Sequence, residues 1–172
     1  MKFQNLVESL DRFSRILPAT VKDVSDQAAR WKPESGAWSI LEIICHLTDE
    51  ESEDFRPRVK STLLDPDTRW SPIDPEAAAI TRKYNQQDLE EVVSRFVHER
   101  NSSVNWLKSL VYPNWDSTYE HPELGPIQAG QLMSSWAAHD LLHLRQITKR
   151  MYEMILRDGE PYPTDYAGRW SA

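Results

Sequence analysis

The sequence predicts an all-α protein built as a four-helix bundle with long loops and short extra helices. Apolar residues recur at three- and four-residue steps in four separate segments, which is the spacing of one helix face. Pro and Gly cluster between those segments, and no segment alternates convincingly as a strand would. A length of 172 residues suits one core. We therefore expect residues 1–172 to form a single domain.

The first predicted helix starts near Phe3 and either ends at Pro18 or continues to Val24. Residues 31–38 then form a loop, because a Pro and a Gly interrupt the helical pattern there. The apolar face of this first helix consists of Leu6, Leu10, Phe13 and Leu17.

The second predicted helix starts after a capping box, in which Ser39 and Glu42 each bond the other residue's backbone N–H. An acidic stretch follows the apolar face, and Pro57 is expected to kink or end the helix. Residues 64–75 contain three Pro-based turn signals and predict a long surface connection. Residues 76–83 add a short helix. The apolar face consists of Ile40, Ile43, Ile44 and Leu47.

The third and fourth predicted helices are separated by a segment rich in Pro and turn residues. Asp88 caps the third helix, which residues 112–114 break, and Pro126 is expected in the first turn of the fourth, which runs to about Arg157. The third apolar face contains Leu89, Val92, Val93, Phe96, Val104, Leu107 and Leu110. The fourth contains Leu132, Met133, Trp136, Leu144, Ile147 and Met151.

The composition of the chain argues against several classes of function. The formal net charge of −7 argues against binding to nucleic acid or to an anionic membrane, since both need clustered Lys and Arg. The single cysteine, Cys45, rules out an intrachain disulfide and is interpreted as a small buried residue. Because no signal-like or membrane-spanning apolar run is present, the expected location is the cytoplasm.

Three histidines carry the functional prediction. His139 and His143 are four residues apart, so on a helix they project only about 40° apart and can reach one point. Such a pair is a common two-ligand device for a transition metal, although ordinary core or surface histidines are the alternative. His46 borders the apolar face of the second helix and offers a third nitrogen. Three His ligands would leave a coordination position open.

The sequence does not decide the roles of the carboxylates near these histidines. Glu50 and Glu53 fall on the same side of the second helix as His46, as a further ligand, a base or, more simply, part of a solvated acidic face. Glu42 and Asp140 are the candidate catalytic or orienting carboxylates. The capping box explains Glu42 equally well, and a surface position would explain Asp140.

Three motifs resemble those of the DinB-like family, also described as YfiT-like. Residues 38–49, WSILEIICHLTD, resemble the family's W-S-x-x-E-x-x-x-H-x-x-D. Residues 125–127 resemble its loop into the last helix, and residues 139–146, HDLLHLRQ, resemble its H-D-x-x-H-x-x-Q ending. The resemblance implies a four-helix bundle in up-up-down-down-like order, often a homodimer, with nickel or zinc on His46, His139 and His143.

The resemblance defines the metal site more closely than it defines the reaction. Characterised relatives transfer bacillithiol or run mycothiol-dependent isomerisation, and others are described only as metal-dependent hydrolases. We predict that a divalent metal activates a thiol or water for attack on a small molecule, with Trp38 and Trp136 walling the pocket. A non-catalytic, stress-related protein that binds a metal or a ligand is the alternative. His98 is expected at the surface, and His121 could overhang the pocket.

Overall fold

The computed structural model describes residues 1–171 and confirms the predicted helical bundle. Four long helical segments surround the core, and short helices and one hairpin lie in the connections. None of the helices in the described part of the chain is both long and apolar enough to span a membrane. The helices are α1 (Phe3–Val21), α2 (Asp26–Arg30), α3 (Ile40–Asp49), α4 (Arg56–Leu64), α5 (Pro75–Thr81), α6 (Leu89–Ser109) and α7 (Ala129–Asp158).

The helix α3 is the central element of the bundle. Each of its residues from Ile40 to Thr48 is buried, because α3 packs against both α6 and α7 while α1 packs against the same two helices. His46 is therefore inside the protein although it is polar. The helix contributes Ile43, Ile44 and Leu47 to a core cluster that also contains Phe13, Leu17, Phe96 and Ile147.

The second long helix does not end at Pro57. A π-helical turn, Glu50–Phe55, joins α3 to α4, and Pro57 lies in the first turn of α4. Proline has no N–H to donate to the preceding turn, and a wide turn just before it accommodates that missing bond. Four of the six residues in this π turn are buried. The acidic stretch is therefore partly inside the protein.

The segment before α7 forms a β-hairpin that the sequence did not predict. Strands β1 (Thr118–His121) and β2 (Gly125–Gln128) pair antiparallel, with Glu120 opposite Pro126. The prediction that Pro126 starts the last helix is therefore wrong, since α7 begins at Ala129. A two-stranded ribbon consists of edge strands, which tolerate Pro. Four-residue strands are also too short to show a clear alternating pattern.

The capping box at the start of α3 gives a stability prediction. Ser39 Oγ accepts from Glu42 N at 3.1 Å, and Glu42 Oε2 accepts from Ser39 N at 2.8 Å. Removing the hydroxyl in Ser39→Ala should lower the free energy of unfolding by about 1 to 2 kcal/mol, measured by urea denaturation. The matched control is Ser25→Ala, which removes the exposed cap of the short helix α2 and should cost less. Equal losses would contradict the prediction.

Candidate metal centre

The structure brings all three predicted histidines together at the contact between α3 and α7. His46 comes from α3, and His139 and His143 come from successive turns of α7. The ring centroids are 5.3 Å apart for His46 and His139, 4.7 Å for His46 and His143, and 4.2 Å for the pair on α7. One nitrogen from each ring lies within 4.8 Å of the others. That spacing allows the three to share one ion.

A hydrogen bond fixes which nitrogen of His143 is available. Its Nδ1 lies 2.8 Å from Gln146 Oε1, and an amide oxygen can only accept, so Nδ1 carries the hydrogen. The Nε2 atom of the neutral ring therefore carries no hydrogen and has a free lone pair. It points to His139 Nε2 at 3.0 Å. Metal-binding histidines commonly donate their other ring nitrogen to such an acceptor, which orients the ring.

Burial keeps these imidazoles neutral. Burial, followed by the neighbouring histidines, lowers the pKa of His46 and that of His139 to about 3. Burial also lowers the pKa of His143, although the bond to Gln146 opposes this. Neutral imidazole is the form that binds metals. Three neutral nitrogens facing one point fit a divalent transition ion such as zinc or nickel.

Aromatic rings surround the cluster in two layers. The ring of Trp38 lies 5.1 Å from that of His46, and the ring of Phe55 lies 5.1 Å from that of His139. Trp136 stacks on Phe55 at 5.7 Å and so lies one layer behind it. Of the two tryptophans predicted to wall the pocket, Trp38 directly contacts a histidine, whereas Phe55 occupies the position expected for Trp136.

Glu50 lies beside the cluster, with its Oε1 3.5 Å from His46 Nδ1. It is 8% exposed, so its assignment to a solvated acidic face is wrong. Burial, followed by the neighbouring Asp54, raises the pKa of Glu50 to about 9. Glu53 is exposed and bonds Arg82 at 2.8 and 2.9 Å. Within residues 1–171, the group of side chains that fits one ion consists of the three histidines alone.

The two candidate catalytic carboxylates are engaged elsewhere. Glu42 accepts from Ser39 N and pairs with Lys32 at 2.9 Å. Asp140 is 2% exposed, so it is not a surface residue, and both of its oxygens accept from Arg100, at 2.6 and 2.7 Å. Each carboxylate thus has partners other than the histidine rings, and a catalytic role for either stays a prediction.

A buried ionic network behind the site was not predicted. Arg100 of α6 is wholly buried, and it bonds Asp140 of α7 and Glu51 of the π turn, the latter at 2.7 Å. Glu51 Oε1 also accepts from Trp136 Nε1 at 2.7 Å. The sequence held one signal: Arg100 is four residues from both Phe96 and Val104, on the apolar face of α6. A cation at that position needs buried anionic partners.

The remaining singled-out residues are not part of the three-histidine group. Cys45 is buried as expected, and burial raises the pKa of its thiol to about 12. His98 is exposed on α6, as predicted. His121 packs against Trp70 with ring centroids 5.9 Å apart, and its Nδ1 accepts from two backbone N–H groups of the hairpin loop.

A small cleft connects the cluster with the surface. It has a volume of about 100 Å³ and is bordered by the π turn, the loop before α5 and α5 itself. His46 is the histidine that lines it. A small reactant could therefore approach from this side, past the following residues: Glu50, Asp54, Pro72, Ile73 and Tyr84.

The bond from Gln146 to His143 gives a second prediction. Gln146→Leu removes the acceptor that orients the ring, and loss of such a partner typically weakens metal binding about 10- to 100-fold. Gln146→Glu keeps an oxygen acceptor and should retain most of the affinity. Competition with a chromogenic chelator measures both variants. Equal metal affinity in the wild type and Gln146→Leu would show that this bond does not support the site.

The chain belongs to the DinB superfamily, whose family model matches residues 9–147. Its relatives include a protein of Oceanobacillus iheyensis named "Putative metal-dependent hydrolase", 26% identical over 143 residues, covering 83% of this chain and 81% of the relative. A protein of the same name from Bacillus thuringiensis subsp. konkukian is 22% identical over the same shares of both chains.

A solved structure shares the fold. YfiT from Bacillus subtilis, described as "a probable metal-dependent hydrolase with an unusual four-helix bundle topology", superposes with a TM-score of 0.80. The match covers 89% of this chain and 87% of YfiT at 17% identity. At that identity the likeness establishes the fold, and the site must be argued from this chain's own residues.

Proposed function

We propose that this protein is an enzyme that binds one divalent transition metal on His46, His139 and His143 and uses it to activate a thiol or water. Nickel and zinc are the proposed ions, since both bind imidazole well. The second reactant is a small electrophilic or hydrolysable molecule that enters beside His46. The names of the relatives support metal dependence.

The convergence of three neutral imidazoles on one point is the observation that carries this proposal. His143 Nε2 and His139 Nε2 lie 3.0 Å apart, and His46 contributes a third ring nitrogen within 4.8 Å of the other two. An ion would satisfy the lone pairs. Three protein ligands are typical of catalytic sites, whereas structural zinc sites usually have four.

The residues around the cluster have distinct roles in this proposal. Gln146 orients His143, and Trp38 and Phe55 restrict solvent around the other two rings. A bound divalent ion would supply Lewis acidity that lowers the pKa of a thiol or water. Glu50, whose Oε1 lies 3.5 Å from His46 Nδ1, lines the same cleft and can form a hydrogen bond with a reactant there. The nucleophile is proposed to come from a small molecule, since the only cysteine is buried and protonated.

A conjugation assay tests the reaction. Consumption of a small thiol by a reactive electrophile is followed with the protein as purified, after chelation, and after zinc or nickel is restored. Chelation should abolish the protein-dependent rate and the metal should restore it. Hydrolysis of an activated ester, followed in parallel, distinguishes water from thiol as the nucleophile. Chelation that leaves the protein-dependent rates unchanged, or the absence of both conjugation and hydrolysis, would contradict the proposal.

A further inference from the structure

A second, larger cleft lies beside the histidine cluster. It has a volume of about 480 Å³ and is lined by Trp38, Glu76, Gln146, Lys149 and Arg150, together with the loop around Gly36. Trp38 packs against His46, and Gln146 bonds His143. The cleft is therefore separated from two of the three histidines by a single layer of side chains.

Arg150 is the unusual residue of this cleft. It is 5% exposed, and its Nη2 lies 3.0 Å from Glu153 Oε2. Its Nε and Nη1 are buried without any hydrogen-bond partner. A buried donor without an acceptor is costly, and more so when it is charged. The adjacent Lys149 is exposed and forms no ion pair within the described residues. The cleft thus offers two cations: Arg150, whose partner Glu153 leaves two of its nitrogens without a hydrogen bond, and Lys149.

We propose that this cleft binds the carboxylate of the small molecule that reacts at the metal. The inference deepens the proposed function and rests on it for the identity of the reacting centre. A guanidinium and a carboxylate form strong charge-assisted hydrogen bonds, and Lys149 adds a second positive charge to the cleft that Arg150 lines. Glu76 in the cleft and Glu153 beside it offset part of this positive charge.

The helix α5 places this cleft next to the one that reaches His46. Glu76 lines the larger cleft, and its neighbours Pro75 and Ala78 line the smaller one. A molecule held by its carboxylate in the larger cleft would therefore lie beside the layer of side chains that contacts His46 and His143, with the smaller cleft next to it along α5. Small thiols or electrophiles that carry a carboxylate are accordingly the substrate class that the structure favours.

Calorimetric titration with succinate, the neutral succinamide and inorganic phosphate tests this inference directly. Succinate should bind the wild type, and succinamide should bind at least roughly tenfold more weakly, as expected for loss of charge-assisted hydrogen bonds. Lys149→Gln and Arg150→Met should each weaken succinate binding by a similar factor. Because Arg150 is buried, thermal unfolding checks that its variant folds, and the exposed Lys149 provides a test that does not depend on the core. Lys108→Gln, an exposed lysine on α6, is the matched control.

The titration is run on the metal-free and on the zinc-loaded protein, so that binding at Lys149 and Arg150 is separated from carboxylate binding to the ion. Succinate binding that persists after metal removal and depends on Lys149 supports carboxylate binding in this cleft, whatever the conjugation assay shows. Equal binding of succinate and succinamide, unchanged binding in both variants, or tighter binding of phosphate than of succinate would overturn the inference. None of these results bears on whether the three histidines hold a metal.

Discussion

His139→Ala should abolish retention of the metal by the purified protein. The histidine supplies one of three converging nitrogens, and its ring lies 4.2 Å from that of His143 on the same face of α7. Loss of a direct ligand should exceed the roughly 100-fold cost of losing an orienting partner. Metal content, measured by elemental analysis of protein made without a His tag, should fall from about one equivalent to near zero.

The matched control for this variant is His98→Ala. His98 is an exposed histidine on α6, and its removal should leave the metal content at the wild-type level. Circular dichroism of both variants verifies that the bundle is intact. If His139→Ala retained as much metal as His98→Ala, the ion would have to lie somewhere other than this cluster.

Arg100→Met should destabilise the bundle far more than the loss of a surface cation does. It leaves Glu51 and Asp140 buried without their shared cation, and breaking a buried ion pair by removing one partner typically costs about 3 to 5 kcal/mol. Urea denaturation of the metal-free protein measures this loss. Because Asp140 follows His139 directly in α7, the folded fraction should also retain metal less tightly.

Arg15→Met provides the control for the buried network. Arg15 pairs with Asp11 at 3.3 Å, but its side chain is 67% exposed. Solvent screens such a pair, and its removal should change the free energy of unfolding by no more than about 1 kcal/mol. A similar, small change in both variants would mean that the Arg100 network adds little to stability.

A rotation of about 100° per residue correctly predicted side-chain directions where the helices are regular. His139 and His143 lie on an uninterrupted α-helix, so a four-residue spacing fixed their relative direction. His46 follows a capping box that the structure confirms, and the start of its helix was therefore known. The third nitrogen could be assigned to the core because the apolar face of α3 passes beside it.

The same rotation gave wrong side-chain directions where the backbone departs from regular α-helix. The π turn, Glu50–Phe55, shifts the direction of the side chains that follow its start, which is why the burial of Glu51 and Asp54 was not foreseen. Glu50 lies beside His46, as the four-residue spacing predicts, and only its burial was missed. Arg100 finds its partners 40 and 49 residues away, and local periodicity contains no information on such contacts. The hairpin before α7 was missed because its two strands have four residues each.

The position of the ion is the most direct test of the central claim. A crystal of tag-free protein, with diffraction data collected at the absorption edge of its metal, gives the anomalous peak and its ligands. We expect one strong peak about 2.0 to 2.1 Å from a nitrogen of each of His46, His139 and His143, with no fourth protein ligand. A peak elsewhere, or a shell closed by Glu50, would contradict an open catalytic site on three histidines.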